Sequence, residues 1–75
     1  MKELLEFIVQ RIIGEEEKFT VTESDENGFT RLTITIPKEK VGIIIGKEGR
    51  IIKSIKIILS AFAKTSRFAI DVKES

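Results

Sequence analysis

The 75-residue chain contains no cysteine, no histidine, no tryptophan and no tyrosine, and it has a single proline. Without cysteine, neither a disulfide framework nor a thiolate metal site can form, and without histidine the commonest imidazole ligand and acid–base group is missing too. The sequence also lacks the Ser/His or Cys/His pairs of nucleophilic catalysis. We therefore predict no enzyme activity, no metal site and no cofactor.

Long apolar runs are also missing. Residues 1–13 carry Glu3, Glu6 and Arg11 among their apolar side chains, so they lack the unbroken core of a signal peptide or of a membrane span. We expect a soluble, intracellular protein without a membrane segment, and the absence of cysteine is compatible with the reducing cytoplasm.

The charges are unevenly distributed along the chain, although the net charge is only +1. Residues 1–35 contain four Lys or Arg and eight Asp or Glu, which sum to −4, whereas residues 36–75 contain nine and four, which sum to +5. An uneven solvated surface explains such an asymmetry by itself. A basic half that also contains an anion-binding motif favours a polyanionic partner instead.

The first half of the chain predicts a helix and a β-hairpin. Apolar residues recur at helical spacing over residues 1–13, so we predict an amphipathic helix that ends near Gly14. Alternating apolar and polar residues predict strands over 19–22 and 31–36, and the polar residues 24–28 predict the turn between them.

The second half predicts two helices and a last strand. Pro37 suits the first turn of a short helix over 38–45, which Gly46 interrupts. A longer helix follows over residues 50–64, and residues 67–72 alternate as a strand. The longer helix has one apolar face with two flanking residues: Ile52, Ile55, Leu59 and Phe62, with Ile51 and Ile58 at the edge.

These elements predict an α+β fold of order αββααβ, with three helices on one face of a three-stranded sheet. Residues 1–75 are predicted to form one domain. A domain of this size buries only about 60% of the surface of its unfolded chain, so its core has to be dense. The 41% hydrophobic composition is consistent with such a core.

Residues 44–55 place two glycines and several basic residues between two apolar helical segments. Gly46 and Gly49 have no Cβ, so a second backbone, such as a sugar-phosphate strand, can approach N–H groups that side chains would otherwise shield. Gly49 and Arg50 open the following helix, whose first N–H groups lack intrahelical partners and carry the positive end of the helix dipole. Phosphate is the anion that best fits this position.

Other glycine motifs fit less well. A P-loop has four residues between its glycines and a hydroxyl for magnesium, whereas three residues separate Gly42 from Gly46 and Glu48 takes the hydroxyl position. The sequence does not fit a Rossmann fingerprint either, because the strand, the glycine turn and the acidic residue are not in the required order. A helix-turn-helix DNA binder remains an alternative, although its second helix must expose polar side chains and this one is mostly apolar. Glycines that only cap two helices are the purely structural alternative.

The chain resembles the KH family, whose core pattern is two aliphatic residues, Gly-x-x-Gly, and then Ile at the third and sixth following positions. That pattern is met by Ile44, Ile45, Gly46, Gly49, Ile52 and Ile55. The αββααβ order resembles the type II version of the fold. In length the chain is similar to the small stand-alone KH proteins of bacteria, the KhpA type, and the resemblance covers essentially the whole sequence.

The resemblance implies non-catalytic binding of single-stranded RNA, in an RNA chaperone or post-transcriptional regulator. A KH loop holds the backbone of about four nucleotides while the bases lie in a groove beside it. The residues that would do this here fall into three groups: Gly46, Lys47, Glu48 and Gly49 in the loop; Lys47, Arg50 and Lys53 at phosphates; Val41, Ile44, Ile45 and Ile52 in the groove floor. Glu48 could point to solvent, pair with Arg50 or Lys47, or weaken the site, and the sequence leaves these alternatives open.

The five phenylalanines lie outside the glycine motif, mostly at positions predicted to alternate into a core. Base stacking on aromatic platforms, as in an RRM or an OB-fold, is therefore not the expected mechanism. We expect bases to be held by aliphatic contact and by hydrogen bonds to their edges.

Ile57 projects away from the core stripe of the longer helix, and with Ile51 and Ile58 it could form a contact surface. The KH resemblance implies self-association or pairing with a second KH-containing protein, so we predict a two-fold dimer through this helix. The alternative function is a protein-interaction module on a KH scaffold whose partner supplies the RNA contacts, since the fold does not by itself determine the function.

Overall fold

In a computed structural model that describes residues 1–64 and 67–75, helices and strands follow the predicted order. The bounds are α1 (Lys2–Ile13), β1 (Thr20–Glu26), β2 (Phe29–Ile36), α2 (Lys38–Ile45), α3 (Arg50–Ala63) and β3 (Phe68–Glu74), with a 3-10 turn over Lys47–Gly49 between α2 and α3. The α+β class and the αββααβ order inferred from the sequence are confirmed.

The β-hairpin turn is shorter than the sequence predicted. It contains only Asn27 and Gly28, whose φ angles are 52° and 80°, and Glu26 pairs directly with Phe29 across it. Positive φ at both central positions is the geometry for which an Asn-Gly pair is favoured in two-residue hairpins. The prediction of a turn over 24–28 was therefore wrong, because its first three polar residues belong to the exposed end of β1.

The three strands form one sheet in the order β1-β2-β3. β1 runs antiparallel to β2, with Val21 opposite Ile34, and β3 runs parallel to β2, with Ile70 opposite Leu32. Parallel strands need a long crossover connection. Here α2, the glycine loop and α3 make up that crossover, so the loop is held between two helices that pack on the sheet.

One face of the sheet packs against the helices. In β2, Leu32, Ile34 and Ile36 are fully buried, while Arg31 on the opposite face is exposed and lies 2.7 Å from the Asp71 carboxylate. The core joins residues from all three strands and all three helices: Leu5, Val9, Ile13, Val21, Leu32, Ile34, Ile36, Ile44, Ile55, Leu59 and Phe68. Burial of these side chains fixes the position of α2 and α3, and with it the position of the loop.

Phe62 does not join this core, although the sequence predicted that it would. Leu59 is fully buried, whereas Phe62, three residues later on the same helix, is 75% exposed. Helical spacing shows which way a side chain points, but it does not show how far the packed surface extends beneath the helix. The wider prediction that most phenylalanines enter the core was also wrong, since Phe7 and Phe29 are exposed and only Phe68 is fully buried.

Candidate nucleic-acid interface

The glycine loop joins α2 to α3 within four residues. α2 ends at Ile45 and α3 begins at Arg50, and the backbone between them takes positive φ at Gly46 (76°), Glu48 (57°) and Gly49 (74°). Two of these three positions are glycines, for which the left-handed half of the backbone map has no steric penalty. The third is a glutamate, which is uncommon in this conformation.

Gly46 and Gly49 are glycines for different physical reasons. A Cβ added to Gly46 would lie 2.7 Å from Cγ1 of Ile51, which is closer than side chains tolerate. A Cβ added to Gly49 would meet nothing nearer than Cγ2 of Ile52 and Cε of Lys53, both at 3.9 Å. Gly46 therefore lets the loop pack against α3, and the bare backbone that can face a ligand is at Gly49.

The backbone amides predicted to meet phosphate are already hydrogen-bonded within the loop. The Gly49 N–H donates to the Gly46 carbonyl at 3.2 Å, and the Arg50 N–H donates to the Lys47 carbonyl. No side chain caps the start of α3, so the positive end of its dipole is not neutralised by a capping residue.

Three cationic residues lie close to Gly49 in the chain. Lys47, Arg50 and Lys53 are all exposed, and Cε of Lys53 lies 3.9 Å from the position that a Cβ on Gly49 would take. Glu48 is not isolated, because its Oε2 atom lies 3.8 Å from Nη2 of Arg50. The structure thus places Lys53 beside Gly49, and of the alternatives that the sequence left open for Glu48 it shows the pairing with Arg50.

The predicted groove floor divides into two groups. Ile44 is fully buried in the core, so it has no surface to offer a base, and the groove prediction was wrong at this position. Val41, Ile45 and Ile52 are half-buried, and their role in a groove remains a prediction. The sequence did not predict that Ile43 on α2 is exposed, at 42%. Helical periodicity could not predict the exposure of Ile43, because the eight residues of α2 make only about two turns.

The outward side of α3 carries apolar side chains. Ile57 is 69% exposed and Ile58 is 49% exposed, while Ile51 is half-buried and packs against the core. The exposed ring of Phe62, one turn after Ile58, adds apolar surface at the end of the helix, although the sequence predicted that it would be in the core.

A sequence model of the KhpA/KhpB KH domain matches residues 2–73. The chain belongs to the KhpA/KhpB family. The match includes α1 to α3, β1 and β2, and all but the last residue of β3. The resemblance to the KH family and the type II order are therefore confirmed.

Bacterial members of the KhpA/KhpB family are similar to this chain over nearly their whole length. The protein from Thermotoga maritima named RNA-binding protein KhpA is 48% identical over 67 residues, which are 89% of this chain and 89% of that protein. The protein of the same name from Treponema pallidum is 34% identical over 73 residues, covering 95% of this chain and 91% of its relative. The one from Borreliella burgdorferi is 36% identical over 66 residues, covering 87% and 80%.

Other surface features of this KhpA/KhpB domain lie away from the loop. Two shallow hollows flank Phe19, one bordered by Glu6 and Gln10 and the other by Thr35 and Pro37. Within residues 1–64 and 67–75, no helix combines the length and the apolar character needed to cross a membrane. In the same two ranges, no three acidic side chains are grouped so as to hold a metal ion.

Proposed function

We propose that residues 1–75 form one non-catalytic KH domain that binds single-stranded RNA through the loop Gly46, Lys47, Glu48 and Gly49. The observation that carries the proposal is the exposure of Lys47, Arg50 and Lys53 beside Gly49 in the chain, with Cε of Lys53 3.9 Å from the position that a Gly49 Cβ would take. The names of the KhpA relatives, which are RNA-binding proteins, support it. In the cell, we propose, the domain acts in the bacterial cytoplasm as an RNA chaperone or post-transcriptional regulator.

Electrostatic attraction to the RNA backbone supplies most of the binding in this proposal. Ammonium and guanidinium groups of the three basic residues neutralise phosphates, and the missing side chain at Gly49 allows the sugar-phosphate strand to come close. Half-buried Val41, Ile45 and Ile52 contact the bases, which also form hydrogen bonds along their edges. The loop itself contains no aromatic ring. We therefore expect modest affinity and weak preference for particular bases.

A charge reversal in the loop tests this function directly. We expect Lys47→Asp/Glu48→Asp to abolish binding of a short mixed-sequence single-stranded RNA, because two carboxylates then lie where phosphate should sit. Both glycines are retained, and aspartate tolerates the left-handed backbone at position 48 better than most residues. Fluorescence anisotropy measures binding, and circular dichroism verifies that the variant is folded.

The chain offers a matched control for this variant. Lys73 and Glu74 repeat the Lys-Glu pair at the exposed end of β3, where Lys73 is paired with Thr35 on the sheet face that the helices leave open. Lys73→Asp/Glu74→Asp changes the net charge by the same amount and is expected to bind RNA nearly as well as the wild type. Equal binding by the loop variant and the wild type, or equal losses in the two variants, would contradict a loop-specific RNA site.

A second proposed function, pairing of two KH domains, is favoured by the outward side of α3. Uncharged exposed side chains recur there at helical spacing, with Arg50 and Lys53 next to them: Ser54, Ile57, Ile58, Ala61 and Phe62. We define these five residues as the α3 outer side. The two small residues would let a second copy of α3 approach closely, and the same patch on both copies satisfies the requirement of a two-fold interface. We propose a homodimer through this side.

The oligomeric state tests the dimer independently of RNA. We expect the wild type to sediment at high micromolar concentration with twice the 8.5 kDa mass of the chain, and Ile57→Lys/Ile58→Lys to sediment as a monomer. Ile43→Lys on α2, which also replaces an exposed isoleucine, should remain dimeric. A wild-type monomer would rule out the homodimer. Pairing of the α3 outer side with a second KH-containing protein would then be tested instead.

A further inference from the structure

Glu48 occupies a backbone conformation to which glutamate is poorly suited. Its φ and ψ angles are 57° and 24°, a left-handed region that glycine, asparagine and aspartate adopt more readily. The side chain is 71% exposed, so packing in the core does not explain why a glutamate stands here. Residues that violate a local rule without a packing reason often serve function.

The surroundings of Glu48 are cationic. Lys47 precedes it, Arg50 follows two residues later, and the Oε2 atom of Glu48 lies 3.8 Å from Nη2 of Arg50. Both partners are largely exposed, at 78% for the Arg50 side chain. Ion pairs between exposed side chains are weak and easily exchanged. A phosphate group approaching this loop therefore competes with Glu48 for the same guanidinium.

We propose that Glu48 is a positioning residue that limits RNA affinity: it holds the Arg50 guanidinium in the free protein and has to release it to the RNA backbone on binding. This inference rests on the proposed RNA-binding function of the loop. The exchange reduces the net gain from the Arg50–phosphate contact and leaves a carboxylate beside the bound strand. Binding through the loop is thereby kept weak and rapidly reversible, as suits a protein that samples many RNA sequences.

Replacing the carboxylate with an amide of the same shape tests the proposal. We expect Glu48→Gln to bind the mixed-sequence RNA about threefold more tightly than the wild type. A change of this size corresponds to the free energy of a typical exposed ion pair. The plot of log affinity against log salt concentration should also become steeper by about 0.7, the increment for one phosphate on a single strand, because the carboxylate left beside the strand in the wild type offsets one neutralised phosphate. A purely structural role for Glu48 would not change this slope.

Two further variants separate the exchange from a general effect of net charge. Glu39→Gln removes the same charge from an exposed position at the far end of α2, and it should alter both affinity and slope less than Glu48→Gln. In an Arg50→Gln background no guanidinium is available to exchange, so the gain from Glu48→Gln should be smaller than in the wild type. Circular dichroism verifies that all variants are folded.

The outcomes distinguish this inference from the proposed function. If Lys47→Asp/Glu48→Asp abolishes binding but Glu48→Gln is no tighter than Glu39→Gln, the RNA site stands and the role of Glu48 is overturned. A gain from Glu48→Gln that persists undiminished in the Arg50→Gln background also overturns the exchange. If the wild type fails to bind RNA, or if the Lys47→Asp/Glu48→Asp variant binds as well as the wild type, both proposals fall together.

Discussion

At Gly46, the position of a Cβ would lie 2.7 Å from Cγ1 and 2.9 Å from Cβ of Ile51, whereas at Gly49 the nearest atoms are 3.9 Å away. The ψ angle of Gly46 is 175°, which with positive φ falls in a region that only glycine adopts readily. Gly49, at φ 74° and ψ 18°, is in the left-handed helical region that other residues tolerate with some strain. The two glycines therefore tolerate substitution to different degrees.

Alanine substitutions should separate the two roles. We expect Gly46→Ala to destabilise the fold by about 2–4 kcal/mol, because backbone strain and a clash with α3 add together. Gly49→Ala should cost only about 1–2 kcal/mol from its backbone conformation, and the folded protein should bind RNA more weakly because a methyl group then stands between the backbone and phosphate. Urea unfolding followed by circular dichroism gives the stabilities, and anisotropy gives the affinities.

Equal losses of stability in the two alanine variants would show that Ile51 moves aside for a methyl group at position 46. Unchanged RNA binding by folded Gly49→Ala would show that close backbone approach is not needed there. The sequence predicted that both positions require glycine, but it could not show that one of them packs against Ile51. That contact depends on how the loop folds back onto the first turn of α3.

At the scale of elements, hydrophobic periodicity was sufficient to predict the order of helices and strands, because each element buries one face. It failed where an element extends past the core. The end of β1 remains a strand although Ser24, Asp25 and Glu26 are exposed, since a strand needs hydrogen bonds to its neighbour but no burial. The prediction from periodicity fails for the same reason in the last turn of α3, because Phe62 has the phase of a core residue but lies beyond the last buried side chain.

Truncation of two side chains on α3 tests where its core contact ends. Leu59 is fully buried, so we expect Leu59→Ala to destabilise the fold by about 2–5 kcal/mol. Phe62→Ala should stay within about 0.5 kcal/mol of the wild type when the protein is monomeric, as is usual for exposed positions. Urea unfolding at low protein concentration measures both. A large loss of stability for Phe62→Ala in the monomer would show that Phe62 packs against the core after all.

At the scale of the whole molecule, the two halves of the chain, which differ in charge, form different elements. The acidic first half forms α1 and the hairpin, and the basic second half forms α2, the loop, α3 and β3. The net charge of +1 is too small to attract RNA by itself. Attraction therefore has to come from the basic residues around the loop. The affinity for RNA should then depend on salt only as strongly as the few phosphates that these residues neutralise.

RNA binding should weaken with salt concentration in proportion to the number of phosphates that the protein neutralises. If two or three phosphates are neutralised, the slope of log affinity against log salt concentration should be about −1.4 to −2.1, at about −0.7 per phosphate on a single strand. Lys53→Gln should flatten the slope by about 0.7, because this lysine lies beside Gly49. Lys73→Gln on β3 removes the same charge from the sheet face opposite the helices and should leave the slope unchanged. A wild-type slope near zero would contradict phosphate neutralisation, and equal flattening by both variants would mean that RNA responds to overall charge instead of to the loop.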